Sequence, residues 1–261
     1  GLSVLLVEQD ELAAHTSSAS TKLIHGGLRY LEQYAFRLGR EALNERRILL
    51  TIAPHLVHPI TFVLPHAPHI RPAWLIRLGL FLYDRLGKRG PLPRSRAVKL
   101  APGHFGDGLK RQFTRGFTYA DAQVDDAGLV RANAVGARAG GADIGTHTRL
   151  LSASRVEDGW TAKLLIGDAA RTVYAAAIVN AAGPWVGDVL GRIAGAPPEP
   201  PPRLIKGSHI IVPRLYRGDY AYIFQNPDGR VVFAIPWQER YTLIGTTDVE
   251  WSGDPSAPKI T

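Results

Sequence analysis

Thr16-Ser17-Ser18-Ala19-Ser20-Thr21-Lys22-Leu23-Ile24-His25-Gly26-Gly27-Leu28-Arg29-Tyr30-Leu31 is the stretch that decides how this chain is to be read. Four of its first five residues carry small hydroxyls. A lysine, a short apolar pair, a histidine and two adjacent glycines follow, and then Arg29-Tyr30. Small hydroxyls and glycines let backbone approach a ligand and offer donors to phosphate oxygens. An arginine directly after such a turn presents a planar fork to a second anion. These residues point to an anion-rich ligand. Taken alone, they also read as a Ser-rich loop capping an amphipathic helix, so the rest of the chain must decide.

With 261 residues, 45% of them hydrophobic and 21% charged, the chain is long enough for one or two ordinary globular domains. Its net charge of +8 favours anionic partners: phosphorylated metabolites, lipid headgroups or nucleic acid. The arginines are dispersed, so no nucleic-acid stripe stands out. With no cysteine, disulfides and thiolate metal sites are excluded. His55, His58, His66 and His69 lack nearby acids and helical spacing, so no metal site is expected. The chain also has no methionine, not even an initiator, which we read as the mark of a piece of a longer chain. No run of about 18 apolar residues is present to span a membrane.

Gly1 to Glu8 reads as a glycine helix stop, then a buried parallel strand ending in an acid. In a dinucleotide-binding βαβ unit such an acid accepts hydrogen bonds from ribose hydroxyls. Glu8 equally fits a solvated strand end. Phe36 to Ala53 has helical spacing, with Leu38, Ala42, Leu49, Ile52 and Ala53 on one face and Pro54 as the stop. Thr61 to Leu64 is a short strand. Pro72 to Arg85 is a strong helix, apolar over most of its girth. It is read either as packed between layers or as a membrane-surface contact flanked by Arg71, Arg77, Arg85, Lys88 and Arg89. Residues 90–116 read as loop.

A helix capped by Asp125 or Asp126 runs to Arg138 and is closed by Gly140-Gly141. Thr148 to Val156 and Trp160 to Ile166 form a hairpin, and Gly167-Asp168 turns into Arg171 to Tyr174. Ala177 to Ala182 reads as a buried strand delivering Gly183-Pro184-Trp185 to a turn and a helix. After a Pro-rich connector, Leu204 to Val212, Ala221 to Gln225, Arg230 to Pro236 and Tyr241 to Gly245 read as an antiparallel sheet.

Several ordered segments carry a family resemblance: residues 17–31, Arg71-Pro72-Ala73-Trp74, Val124-Asp125-Asp126-Ala127, Asn180-Ala181-Ala182-Gly183-Pro184-Trp185, Leu204-Ile205-Lys206-Gly207-Ser208-His209 and Ile244-Gly245-Thr246-Thr247-Asp248. In that order they resemble the flavin-dependent, quinone-linked, membrane-associated glycerol-3-phosphate dehydrogenases and related oxidases. The chain departs from the family by lacking the amino-terminal Gly-x-Gly-x-x-Gly fingerprint and the carboxyl-terminal segments.

The resemblance implies an α/β flavoprotein fold: a Rossmann-like FAD-binding domain with an antiparallel-sheet substrate domain, as in D-amino-acid oxidase. Its domains would be 1–53 with 120–186 for FAD, and 54–119 with 187–261 for substrate or cap. Glu8 would hold the adenosine ribose. Thr16, Ser17, Ser20 and Lys22 would line the pyrophosphate and ribityl region. Leu23, Ile24 and His25 would pass beside the isoalloxazine, and Gly183 and Leu150 would lie near the adenine half. Arg29 would pair with the substrate phosphate and Tyr30 would face the substrate. Lys206 and His209 would lie on the segment approaching the flavin, with His209 a polar substrate contact.

The implied reaction oxidises sn-glycerol 3-phosphate to dihydroxyacetone phosphate, with His25 or His209 as candidate base and electrons passed to quinone. The implied partners are that substrate, a quinone and a membrane surface. A homodimer is compatible, nucleic acid is not implied, and the location is the cytoplasmic face of the membrane as a peripheral protein. Two rival readings remain: an amino-acid or amine oxidase of the same superfamily, and a catalytically incompetent fragment.

Overall fold

In the computed structural model the described residues are 1–28, 34–67, 70–88, 90–196, 200 and 202–260. The elements run in the order β1 (Leu5–Val7), a 3-10 turn (His15–Ser18), β2 (Leu23–Ile24), α1 (Phe36–Ile52), β3 (Val57–Pro65), α2 (Ala73–Leu86), β4 (Arg96–Lys99) and β5 (Arg115–Val124). Then come α3 (Asp126–Ala139), β6 (Asp143–Gly145), β7 (Thr148–Val156), β8 (Gly159–Ile166), β9 (Ala169–Ala175), a second 3-10 turn (Gly183–Trp185) and α4 (Val186–Gly191). The last six strands are β10 (Leu204–Lys206), β11 (His209–Pro213), β12 (Tyr220–Gln225), β13 (Val231–Trp237), β14 (Tyr241–Gly245) and β15 (Val249–Trp251).

The chain divides into two compact units. The first is Gly1–Ala19, Asp126–Lys206 and Val249–Thr261; the second is Ser20–Asp125 and Gly207–Asp248. These units are drawn differently from the expected domains: residues 20–53 and 120–125 fall in the second unit, and 187–206 and 249–261 in the first.

The second unit is built on a mixed sheet in the order β11-β14-β13-β12-β3-β5-β2, with β4 alongside β5. Its pairings are antiparallel except β12 with β3. β3 is central, and its side chains from Ile60 to Leu64 pack into cores on both faces of the sheet. Ile60, Phe62 and Leu64 face one core with Leu43 of α1 and Ile76, Leu80 and Tyr83 of α2. Val63 faces the other, with Tyr216, Tyr220 and Tyr222. The sequence reading missed β4, a polar edge strand whose Arg96 and Lys99 hide its pairing to β5.

The expected buried face of α1 is corrected by the structure. Gly39, Leu43, Arg46 and Leu50 turn inward, while Ile52 is 68% exposed. An apolar-face rule assigns every arginine to solvent, and here one has a buried carboxylate partner. α2 is amphipathic in a different sense. Ile76, Leu80 and Tyr83 are buried, whereas Trp74 is 68% and Leu78 46% exposed.

The first unit holds the parallel pair β1–β6, the antiparallel meander β7-β8-β9 and the antiparallel pair β10–β15. α3 begins at Asp126 and stops at the glycine pair, where Gly141 has φ +92°. Two expectations fail here. β1 pairs in parallel but is not buried on both faces, since Leu5 and Leu6 are half exposed. Residues 177–182 are not a strand, and Val179 is 87% exposed. A run this apolar becomes a buried strand only beside a neighbour and beneath covering layers. Among the described residues, β1 and β6 form only a pair.

Phe62 stacks on Tyr119 with ring centroids 5.1 Å apart and meets Phe233 edge-on. Phe62→Ala is expected to cost about 3–5 kcal/mol, read as a lower denaturant midpoint with an unchanged slope. A cost below about 1 kcal/mol would contradict the central placement of β3.

Candidate active site

In the second unit the Ser20–Gly27 segment runs along the edge of the sheet. β2 pairs with β5 in the register Leu23↔Gln123 and Ile24↔Ala122. Lys22 enters that strand with φ +59°, a left-handed conformation seldom held by a non-glycine residue without a local constraint. The Ser20 hydroxyl accepts a hydrogen bond from the Lys22 amide at 2.9 Å. Beyond the strand, Gly27 has φ +64° and its N–H donates to His25 Nδ1 at 3.0 Å. With Nδ1 accepting, neutral His25 carries its proton on Nε2 and presents a donor there.

His209 joins the same unit at the start of β11, opposite Gly245 of β14. Its Nε2 lies 3.0 Å from Thr21 Oγ1. A Cβ at Gly245 would fall 2.4 Å from the His209 ring, so glycine there lets the imidazole lie flat on the backbone. Burial pushes the His209 pKa below its ordinary value, and the Lys22 charge adds to the shift. His209 is thereby held neutral at pH 7, as a proton acceptor requires.

Beneath the turn lies a buried polar network. Arg46 of α1 and Asp121 of β5 are each 2% exposed and form an ion pair. Arg46 Nη1 also donates to the Ala120 carbonyl at 3.2 Å. The Tyr83 hydroxyl donates to Asp121 Oδ1 and Oδ2 at 2.8 and 2.9 Å and accepts the Gly26 N–H at 2.8 Å. Burial pushes the Asp121 carboxyl up, against the opposing pull of Arg46, His25 and the Tyr83 hydroxyl. Burial and the Asp121 charge hold the Tyr83 phenol well above its ordinary value, so it remains a donor.

In the first unit, Glu8 follows β1. Its Oε1 accepts the Asp10 N–H at 3.0 Å, and its backbone bonds to Gly145 and Thr148 on either side. Thr16 and Ser17 are exposed in the first 3-10 turn, which contains His15 at φ +59° and follows Ala13 at φ +68°. The Leu150 carbonyl on β7 accepts Arg192 Nη1 at 2.7 Å, next to a bulge. Gly183 has φ +54°, and a Cβ there would meet nothing within 4 Å. Asn180 Nδ2 fastens that turn to the Val186 carbonyl at 2.8 Å.

Lys206 Nζ donates to the Lys259 carbonyl and sits 4.4 Å from the centroid of the Trp251 ring. Arg29 and Tyr30 lie outside the described residues. Among the described residues, no group of three or more metal-ligating side chains gathers.

A family model described as FAD dependent oxidoreductase, DAO, matches residues 1–261. The chain belongs to that family. It is 56% identical over 261 residues to the glycerol-3-phosphate dehydrogenase of Pseudomonas aeruginosa, covering 100% of this chain and 50% of that protein. It is 52% identical over 255 residues to the D-erythritol 1-phosphate dehydrogenase of Brucella abortus, covering 97% of this chain and 51% of that one. The crystal structure of the Bacillus halodurans glycerol-3-phosphate dehydrogenase complexed with FAD superposes with a TM-score of 0.68 at 26% identity. It covers 100% of this chain and 45% of that one. The chain thus spans about half the length of the curated relatives it matches.

FAD is this family's cofactor, and the residues present fit it. Glu8 offers a carboxylate already oriented by the Asp10 amide, suited to a ribose diol. Gly183 leaves open the space a side chain would fill. Left-handed backbone at Ala13, His15 and Lys22 marks the hydroxyl-rich stretch as constrained on both sides. Sequence reasoning missed Thr21, Gly245, Tyr83, Asp121 and Arg46. The last of these left a signal: an arginine in helical phase with Gly39, Leu43 and Leu50.

Lys22→Ala removes a positive charge that disfavours imidazolium at residue 209, so the His209 pKa is expected to rise toward its ordinary value near 6.5. Burial, the larger cause, keeps it below that value. Following the ring Cε1–H by NMR across pH checks this, and an unmoved titration would contradict it.

Proposed function

We propose that the protein oxidises sn-glycerol 3-phosphate to dihydroxyacetone phosphate on FAD. The observation that carries the reading is the pair of histidines held in opposite roles within one unit. His25 is fixed by the Gly27 amide as an Nε2–H donor, while His209 is held neutral by burial and Lys22. The identity to a glycerol-3-phosphate dehydrogenase adds the substrate.

FAD, when bound, would supply the hydride acceptor for oxidation at the secondary carbon. The chain's own residues do the rest. His209 takes the hydroxyl proton. With Nε2–H donating to Thr21 Oγ1, the accepting lone pair lies on Nδ1. His25 Nε2–H steadies an oxygen of the ligand. Arg29 grips the phosphate as a charge-assisted fork, with Tyr30 beside it. The residues we assign to FAD binding are Glu8, Thr16, Ser17, Leu150 and Gly183. Ser20, Lys22, Leu23, Ile24 and His25 are assigned to it as well. Because a proton acceptor must be neutral and His209 titrates below its ordinary value, kcat/KM should fall on the acid side only below about pH 6.5.

A second substrate has a specific observation in its favour. A relative of 52% identity is named for D-erythritol 1-phosphate, which shares the phosphate ester and the secondary alcohol. Anaerobic mixing separates these from the amine-oxidase reading. Bleaching of the flavin by glycerol 3-phosphate, at a kcat/KM above that for D-erythritol 1-phosphate, is expected. Bleaching by glycine or sarcosine instead would overturn the proposal. Arg29→Ala should raise KM for glycerol 3-phosphate about 10- to 100-fold, the equivalent of a charged hydrogen bond of about 1.5–3 kcal/mol. An unchanged KM would remove Arg29 from the site.

We further propose that electrons pass to a quinone and that the protein works as a peripheral protein on the cytoplasmic face of the membrane. Support comes from α2, whose exposed Trp74, Leu78, Phe81 and Leu82 form an apolar face. The Arg85 guanidinium lies 3.5 Å from the Phe81 ring centroid, and Lys88 follows the helix. Such a face suits the headgroup boundary of an anionic bilayer. Trp74→Glu combined with Leu78→Glu should abolish co-sedimentation with phosphatidylglycerol vesicles without altering flavin bleaching. Undiminished co-sedimentation would return α2 to another role.

A further inference from the structure

We infer that Tyr83 and Asp121 are positioning residues for the reaction, acting through the Gly26 amide to hold the His25–Gly27 turn in place. The inference rests on the proposed role of His25. Four elements meet at this network: α1 through Arg46, β5 through Asp121, α2 through Tyr83, and the end of β2 through Gly26. Within the network, Arg46 pairs with Asp121, and Asp121 accepts the hydrogen bond from the Tyr83 hydroxyl. The remaining acceptor capacity of the Tyr83 oxygen goes to the Gly26 N–H at 2.8 Å. That is the hydrogen bond by which the buried cluster reaches the turn.

Steric fit locks the same contact. A Cβ at Gly26 would lie 2.3 Å from Leu43 Cδ2 and 2.9 Å from the Tyr83 oxygen. Gly26 is therefore pressed against α1 and α2, and Gly27 can turn back to bond His25 Nδ1. The proton on His25 Nε2 is thus fixed at the end of a relay that starts at a buried arginine. A core needs no such relay for stability, because well-packed apolar residues usually replace a buried ion pair without loss. An aim at Gly26 is what an apolar cluster would not supply.

The test uses Tyr83→Phe in the FAD-loaded protein, with Leu80→Val as a matched core change on the same helix face. Leu80 is buried in α2 and belongs to the apolar cluster. For Tyr83→Phe, hydrogen exchange of the peptide containing Gly26 should quicken about tenfold, and flavin reduction by glycerol 3-phosphate should slow about tenfold with KM little changed. Leu80→Val should lower the melting temperature and move neither readout. Unchanged Gly26 exchange in Tyr83→Phe, or equal slowing by both variants, would overturn the inference. If glycerol 3-phosphate fails to bleach the unaltered protein, the proposed function falls, and the exchange measurement still decides whether Tyr83 holds the turn. Should Tyr83→Phe not fold, Asp121→Asn keeps an acceptor for the Tyr83 hydroxyl and loosens its charge-assisted hold. Faster Gly26 exchange in that variant supports the inference and unchanged exchange overturns it.

Discussion

A guanidinium and a carboxylate, both sealed from water, govern the second unit. Taking the Arg46 and Asp121 charges out of solvent costs several kcal/mol each, and only close pairing with further hydrogen bonds offsets that. The structure largely meets the condition: Arg46 reaches Asp121 and the Ala120 carbonyl and Tyr83 completes the carboxylate, while Arg46 Nε has no hydrogen-bond partner among the described residues. Removing either partner would leave a buried charge alone, at a cost of about 3–5 kcal/mol. The pair therefore fixes the rotation of α1 about its axis and the register of α2 against β5.

The same constraint reaches the chemistry. Ile24 pairs with Ala122, one residue from Asp121, so the strand that carries His25 is threaded past the ion pair by its own backbone ladder. His209 arrives from the far end of the sequence, on β11, and meets Thr21. Two imidazoles thus stand at the ends of one short segment, one as a fixed donor and one kept uncharged. The proposed reaction would use this division, with one group accepting a proton while another steadies the ligand.

Much of this was legible in the residues. The Ser-rich stretch and the two glycines pointed to an anion-rich ligand, and FAD, the family's cofactor, is one. The helices at 36–52 and 73–86 and the strand at 241–245 followed from periodicity and proline stops, while only residues 61–64 of the nine-residue β3 were read as strand. What stayed hidden needed a partner distant in sequence. Arg46 and Asp121 are 75 residues apart, and Thr21 and His209 are 188 apart. Hydropathy assigns each to the surface or to nothing in particular. Residues 177–182 failed in the opposite direction, because an apolar run announces a strand whether or not a neighbour exists to pair with it.

The central claim is that the β2 turn and His209 together receive the reacting end of the substrate. A crystal structure of the FAD-loaded protein with dihydroxyacetone phosphate tests it most directly. The account places the product carbonyl in hydrogen-bond contact with His209 and the flavin ring against Ile24 and His25. A ligand bound away from both histidines, with the ring out of contact with that strand, would contradict it.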